Sequence, residues 1–361
     1  LMQNMNHRIF HKRPTTSLFF LFAFLSMFFQ LSSQKEVLLS PDKMLRLNVE
    51  FTENISIKAD LSGKHLCTAE NLSMQLLNGF ALGQSINIKG IKRDYVRKTL
   101  STPFSTKSSE MVDEYNLLQI EFEQNYKFEI RAYNKGFAYR FVTSFEESQI
   151  VEVENSDLTF KTGSKIYFPE EDYLISHYER AYKEVKIEDI ENGKFCSLPF
   201  LTVVEDGLNV LFTEAGLIDY PNMFIKKSAA NKFNALHPKY LHLTHPVSDR
   251  DEKVKEEAYY IARTEGTRSY PWRIFIVGTD ADIFESSLVY QLSSPTKTKD
   301  NDWIKPGQIA WDWYNANNIY GVDFEAGLNT ETYKYYIDFA SKNSIEYIIL
   351  DEGWSKSTTD I

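Results

Sequence analysis

Gln308–Trp313 (QIAWDW), Asn329–Lys342 (NTETYKYYIDFASK) and Glu346–Trp354 (EYIILDEGW) decide how the C-terminal end of this sequence folds. The first stretch predicts a short buried strand. In the second, Tyr333, Tyr336, Ile337 and Ala340 are spaced to share one face of an amphipathic helix. Glu346–Leu350 predicts a second apolar strand, which runs straight into Asp351-Glu352-Gly353-Trp354. Strand, helix, strand, with acidic residues just past each strand end, is how a (β/α)₈ barrel begins, and such barrels keep their chemistry at the C-terminal ends of the strands. A whole barrel takes roughly 250 residues. Residues 307–361 are therefore expected to be its truncated start.

Upstream, short alternating apolar runs recur: Met44–Phe51, Asn54–Ala59, Leu117–Glu123, Lys127–Tyr133, Ala138–Thr143, Leu208–Glu214 and Tyr259–Ala262. Turn residues such as Asn134-Lys135-Gly136 and Glu205-Asp206-Gly207 separate them. Many short strands with this punctuation predict a sandwich or barrel of antiparallel sheets. A helix is expected over Asp282–Leu292. The polar stretch Ser293–Lys305, with Pro295 inside it and Pro306-Gly307 behind it, reads as the linker between the two parts.

The first 33 residues have the three parts of a secretory signal: basic Arg8, Lys12 and Arg13, the apolar run Leu18–Leu31, and small Ser32 and Ser33. An uncleaved anchor is the rival reading, although the run is short for a membrane span. The expected outcome is export, with the periplasm as the compartment and no stable membrane insertion. A net charge of −10 argues against nucleic acid as a partner, since that calls for a basic stripe. Two cysteines, Cys67 and Cys196, lack metal-ligand spacing, and either a pair of buried thiols or one disulfide is open to them.

Four groups of residues are candidates for chemistry. Asp351 and Glu352 leave a strand end on opposite sides, so one of them faces a barrel mouth. Either binds sugar hydroxyls there, or Asp351 merely caps the next helix or loop. Trp354 offers a flat face for a pyranose ring. Trp311, Asp312 and Trp313 form a second group on the first strand, open equally to substrate contact and to core packing. Glu179, within Ser176–Tyr182 (SHYERAY), suits a hard cation such as Ca²⁺, which takes several oxygen ligands. Its plainer reading is a surface acid or a partner for Arg180. His237, His242 and His245 lie close in sequence, but nothing rigid is evident to hold zinc between them.

Taken in order, several marks resemble glycoside hydrolase family 97: Ser40-Pro41-Asp42, Arg131-Ala132-Tyr133 with Gly136, Ala138 and Arg140, Ser176 with Tyr178-Glu179 and Tyr182, and Pro271-Trp272-Arg273. Trp303–Gly307, Trp311–Trp313, Gly321–Phe324 and Leu350–Trp354 continue the series to the end of the chain. The resemblance implies a multidomain β plus α/β protein. Residues 34–296 would form a β-super-sandwich, 297–306 a linker and 307–361 the first βαβ portion of a catalytic TIM barrel. It implies an exported calcium-dependent α-glycosidase acting on oligosaccharides, with Glu179 as a Ca²⁺ ligand. Trp311, Asp312, Trp313, Asp351, Glu352 and Trp354 would be substrate contacts. The block from Trp311 to Phe324 looks more like the retaining α-galactosidases of the family. An inverting α-glucosidase or an inactive carbohydrate-binding remnant are the alternatives. The catalytic carboxylates are expected beyond Ile361.

Overall fold

The structure is a computed structural model that describes residues 34–102, 109–205, 207–248, 251–298, 300, 302–351 and 353–357. The expected export signal, Asp206 in one expected turn, and Glu352 lie outside the described residues.

Among the described residues two large sheets of eleven and ten strands dominate, accompanied by two separate two-stranded sheets. In the first large sheet, four strands from Gln34–Leu39 to Lys64–Leu76 run as a meander and continue into Gln149–Phe160. The second is built around Glu110–Phe122, Tyr126–Tyr133, Gly136–Ser144 and Trp272–Gly278. Period-two alternation sorts each strand. In YKFEIRAY, Tyr126, Phe128, Ile130 and Ala132 are buried while Lys127, Glu129 and Arg131 stand half-exposed on the other face. One core cluster draws on both sheets, joining Leu47, Ile57 and Phe160 to Phe128, Phe200 and Phe275. The Phe160 and Phe200 rings meet edge-on across it at 5.9 Å. The two sheets therefore pack face to face, as a sandwich.

Trp272–Gly278 (WRIFIVG) is buried along its whole length because both its faces are covered. Phe275 and Val277 point into the main core, while Trp272, Ile274 and Ile276 meet Leu288 and Leu292 in a second cluster on the outer face. Gly136 lies at this crossing, where a Cβ would come within 2.4 Å of the Phe275 carbonyl and 2.7 Å of Leu288. Only glycine lets strand and helix approach so closely.

Several expectations need correction. The longest strand, Ile88–Ser101 (IKGIKRDYVRKTLS), gave no apolar alternation to read, because it is an exposed edge paired on one side with Glu110–Phe122. Its lysines and arginines suit an edge that must not recruit other strands. Tyr259–Ala262 is not a strand; extended pairing starts at Ala262 and ends at Thr264. The helix expected over Asp282–Leu292 is two short ones, Asp280–Glu285 and Leu288–Leu292, broken at Ser286-Ser287. Thr279 sets the start of the first: its hydroxyl accepts from the Asp282 amide at 3.3 Å, and the Asp282 carboxylate accepts from the Thr279 amide at 2.9 Å. Cys67 and Cys196 are both buried free thiols.

At the C-terminal end, Ile309–Trp311 and Tyr347–Ile349 pair in parallel, joined by the helix Thr330–Lys342. Asn329 caps that helix, accepting from the Thr332 amide at 2.9 Å. The first strand is neither as long nor as buried as QIAWDW suggests: it stops at Trp311, and Asp312–Asn315 forms a 3₁₀ turn. The helix buries Thr332 and Ala340, whereas Ile337 is 51% exposed. The apolar pattern is present, but among the described residues two strands and one helix cannot cover it.

Candidate functional site

Glu179 sits in the irregular segment between the strands Glu170–Glu171 and Lys183–Lys186, and its side chain is exposed. The segment is held from below by Glu171, whose carboxylate is buried. Its Oε2 accepts from the Ser176 hydroxyl at 2.7 Å and from Arg180 Nε at 3.1 Å. Arg180 also donates to Asp172 at 2.8 Å. The arginine beside Glu179 is thus engaged elsewhere, and Glu179 has no hydrogen-bond or ion-pair partner among the described residues. Tyr178 adopts a left-handed φ of 61° and donates its amide to Ser176 Oγ at 3.1 Å. That conformation is costly for a bulky residue and turns the chain sharply just before Glu179. Burial first, then the nearby Glu214 and Glu171, push the Tyr178 phenol up to about 12.

Glu171, Ser176, His177, Glu179 and Arg180 line a hollow of about 360 Å³. Glu171 Oε1 is buried without a hydrogen-bond partner among the described residues, and Glu179 adds a second carboxylate. These are oxygen donors of the kind Ca²⁺ selects, but a calcium ion takes six to eight. Among the described residues no group of three or more His, Cys, Asp or Glu side chains is arranged to hold a metal ion.

A buried ionic network lies behind this loop. Arg273, 1% exposed, points inward from its strand and crosses to the other sheet, donating Nε and Nη2 to the Glu154 carboxylate at 2.8 and 2.7 Å. Its Nη1 donates to Glu214, and Tyr220 donates its hydroxyl to Glu154 at 2.7 Å. Glu214 in turn accepts from the Met223 amide at 3.1 Å. Burial would raise the Glu154 carboxyl, but Arg273, His237 and Tyr220 hold it below its ordinary value. Burial wins at Glu214, whose pKa is raised although Arg273 opposes the shift. His237 is lowered to about 4, chiefly by burial, and is neutral at ordinary pH. The network fixes Tyr220–Met223, and through Asn222, which donates to the Tyr178 hydroxyl, it steadies the Glu179 loop. The sequence signal for it was a lone arginine in the apolar run WRIFIV, and its partners are too distant in sequence to be paired by eye.

The structure brings Trp311, Asp312 and Asp351 together at the C-terminal ends of the parallel pair. The Trp311 indole donates to Asp351 Oδ2 at 3.2 Å and meets the Tyr314 ring edge-on at 5.0 Å. Asp312 is buried; its Oδ2 accepts from Asn317 at 3.0 Å, while Oδ1 has no hydrogen-bond partner among the described residues. Tyr333 lies beside it, its phenol pushed up to about 12 by burial and then by Asp312. Trp313 and Trp354 are 62% and 49% exposed and join no packed cluster among the described residues. His242 and His245 lie on the exposed strand Leu241–Pro246, apart in role from His237 in the network.

Comparison with known proteins bears on both parts. A family model described as glycosyl-hydrolase 97 N-terminal matches residues 38–295, and one described as glycoside hydrolase 97 matches 312–361. A retaining alpha-galactosidase of Bacteroides thetaiotaomicron is 36% identical over 339 residues, 90% of this chain and 51% of its own length. A probable retaining alpha-galactosidase of Streptomyces bingchenggensis is 31% identical over 91 residues, 25% of this chain and 13% of its own. Two solved structures share the fold at low identity. A glycoside hydrolase family 97 enzyme from Pseudoalteromonas sp. strain K8, in complex with acarbose, gives a TM-score of 0.72 at 18% identity, covering 87% of this chain and 46% of that one. A beta-arabinopyranosidase gives 0.73 at 21%, covering 90% and 52%. This chain thus spans at most about half the length of these relatives. With both family models matched in order and a relative aligned over nine-tenths of it, the chain belongs to glycoside hydrolase family 97.

Proposed function

We propose that this chain is the N-terminal part of an exported, calcium-dependent retaining α-galactosidase. The observation that carries the reading is the 36% identity to a retaining alpha-galactosidase over 90% of the chain. On this reading the parallel β-α-β unit of 307–361 opens a catalytic (β/α)₈ barrel. Trp311, Asp312 and Asp351 then stand where barrel enzymes do chemistry, at the C-terminal strand ends. Asp312, buried beside Tyr333 and held by Asn317, anchors that strand end, and Trp311 and Trp354 offer flat apolar faces. Glu179, exposed and unpaired on its braced loop, would contribute one carboxylate to Ca²⁺. Bound calcium would supply positive charge at the substrate, and its remaining ligands would lie outside the described residues.

Retaining glycosidases use two carboxyl groups about 5 Å apart, one attacking the anomeric carbon and one protonating the leaving oxygen. No described residue is assigned either role; on this reading both would lie in the part of its relative's length that this chain does not span. What this chain does is bind and orient: Glu171, Ser176 and Arg180 hold the loop, and Asp312 holds its place through Asn317. The test is hydrolysis of an aryl α-galactoside, with and without added Ca²⁺, by the 361-residue chain and by the longest protein its gene encodes. The longer protein should turn over with retention and lose activity to a chelator, and the short chain should be silent. Turnover by the short chain would sink the placement of the carboxylates, and a longer protein that inverts α-glucosides would sink the α-galactosidase assignment.

A further inference from the structure

The sandwich carries a second, larger cleft of about 840 Å³ beside the Glu179 loop, and the two hollows share Ile175 and Ser176. Tyr178, Asp219, Tyr240, Arg263, Glu265 and Arg268 are among the residues that line it. Its two exposed tyrosines are each held by neighbouring side chains. Tyr178 rests against Phe224 with ring centroids 5.7 Å apart and is still 43% exposed. Tyr240 rests against Tyr260 at 5.3 Å, with the Arg263 guanidinium 5.4 Å from its ring, and is 39% exposed. Rings held in this way are fixed platforms. Asp219 and Glu265 are exposed on the same cleft, and neither has a hydrogen-bond or ion-pair partner among the described residues.

Fixed aromatic faces beside unpaired carboxylates select a particular kind of ligand. A purely apolar molecule would bury the carboxylates without partners, at a cost of a few kcal/mol each. A polyanion would meet those same carboxylates, and the cations of the lining, Lys239, Arg263 and Arg268, exceed Asp219 and Glu265 by only one charge. A neutral molecule with an apolar face and a rim of hydroxyl donors satisfies both features, and a pyranose ring is such a molecule. The volume falls within the roughly 300–1,000 Å³ of ligand pockets.

We propose that this cleft is an oligosaccharide-binding site on the sandwich. It takes the uncleaved end of a substrate whose other end is presented beyond the Ser176–Glu179 segment. Tyr240 is the stacking platform, Asp219 and Glu265 accept hydroxyl hydrogens, and Arg263 and Arg268 frame the walls. The choice of a galactosyl oligosaccharide rests on the glycosidase reading above, whereas binding itself requires no catalysis by this chain.

The test is isothermal titration of the 361-residue chain with the galactosyl trisaccharide raffinose and, separately, with galactose. Raffinose should bind saturably and galactose at least tenfold more weakly. Tyr240→Ala should weaken raffinose about tenfold, equivalent to about 1.4 kcal/mol. Asp219→Asn should weaken it several-fold. Tyr240→Phe, which keeps the platform, should bind like the parent. Tyr95→Ala, on the exposed edge strand, should leave binding unchanged. Thermal melts establish that each variant is folded. Absence of saturable raffinose binding by the folded parent, or parental binding by both Tyr240→Ala and Asp219→Asn, overturns the site. The two readings fail separately. Hydrolysis by the longer protein with no raffinose binding here removes the cleft proposal alone, while raffinose binding here without hydrolysis there removes the α-galactosidase reading alone.

Discussion

The sandwich and the β-α-β unit obey the same sequence rules with opposite results. In the sandwich each apolar run meets another: Phe128, Phe137 and Phe275 are fully buried, and rings such as Phe137 and Phe275 stack at 4.3 Å. In the β-α-β unit the pattern is equally clear, yet Ile309, Trp313, Ile337, Tyr347 and Ile349 are between 42% and 62% exposed. Amphipathic pattern fixes which face a residue takes on its element, and burial needs a second surface. Stability should accordingly be concentrated in the sandwich, and four measurements test that contrast.

The largest effect is expected at Arg273. Replacing it with Ala leaves Glu154 and Glu214 buried side by side without their cation. Breaking such a group by removing one partner costs about 3–5 kcal/mol. Arg273→Ala should lower the denaturation midpoint severely or prevent folding. Trp313→Ala, at an exposed aromatic in the other region, should stay within about 0.5 kcal/mol of the parent. Comparable losses at both positions would break the contrast. Phe128→Ala ranks just below, at about 3–5 kcal/mol for a large aromatic in a closed core. Its counterpart is Ile337→Ala, expected to cost under about 1 kcal/mol because half of that side chain is already in solvent.

How much could be read in the sequence divides along the same line. Strands such as Leu45–Phe51 and Tyr126–Tyr133 were legible because one face is core and the other solvent. Ile88–Ser101 was not, since an edge strand guarded by Lys89, Lys92, Arg93, Arg97 and Lys98 has no buried face to announce it. At the site, Glu179 could be named from its neighbours Tyr178 and Tyr182, but its bracing by Glu171 could not. Two carboxylates separated by a tight turn look alike in sequence, and only the fold makes one buried and one free. The Arg273–Glu154–Glu214–His237 group escaped for a related reason: its members come from separate strands and loops, joined across 119 positions at the widest.

The third measurement uses pH, where the sandwich alone should respond through His237. Its folded pKa is about 4 against an ordinary 6.5. The unfolded chain therefore takes up the proton first as pH falls. The neutral histidine's contribution is present above about 6.5 and lost progressively towards 4, up to about 3 kcal/mol in all. Two neighbours bear on the same range. Glu154, lowered, contributes above its usual value of 4.5 and loses that contribution as pH falls further. Glu214, raised, has the opposite sign, stabilising below 4.5 and losing that as pH rises through its folded pKa. Comparing the parent with His237→Gln cancels Glu214, whose shift does not come from His237, while Glu154 loses one of the groups that lower it. The variant should show a flatter stability profile between pH 6.5 and 4, and identical slopes would mean that the histidine is solvated or already charged.

The smallest effect should come from the largest deletion. Ending the chain at Ser294 removes the polar stretch that follows it, the parallel strands Ile309–Trp311 and Tyr347–Ile349, and the helix Thr330–Lys342. It leaves both large sheets, and it keeps Leu288 and Leu292 over Trp272 and Ile274. The hydrogen bonds that order the removed strands, such as Trp311 to Asp351 and Gln308 to Glu346, are internal to the removed part. Nothing in the main core depends on them. The melting temperature of the truncated sandwich should fall within about 2 °C of the longer chain's, the shift expected for about 1 kcal/mol in a domain of this size. Ending instead at Glu285 removes Leu288 and Leu292 as well, uncovers the outer face of Trp272–Gly278 and should lower the melting temperature clearly. If both truncations melt alike and low, residues 295–361 brace the sandwich after all. The exposed faces of Ile337 and Ile349 would then have to be read as one side of a contact with it.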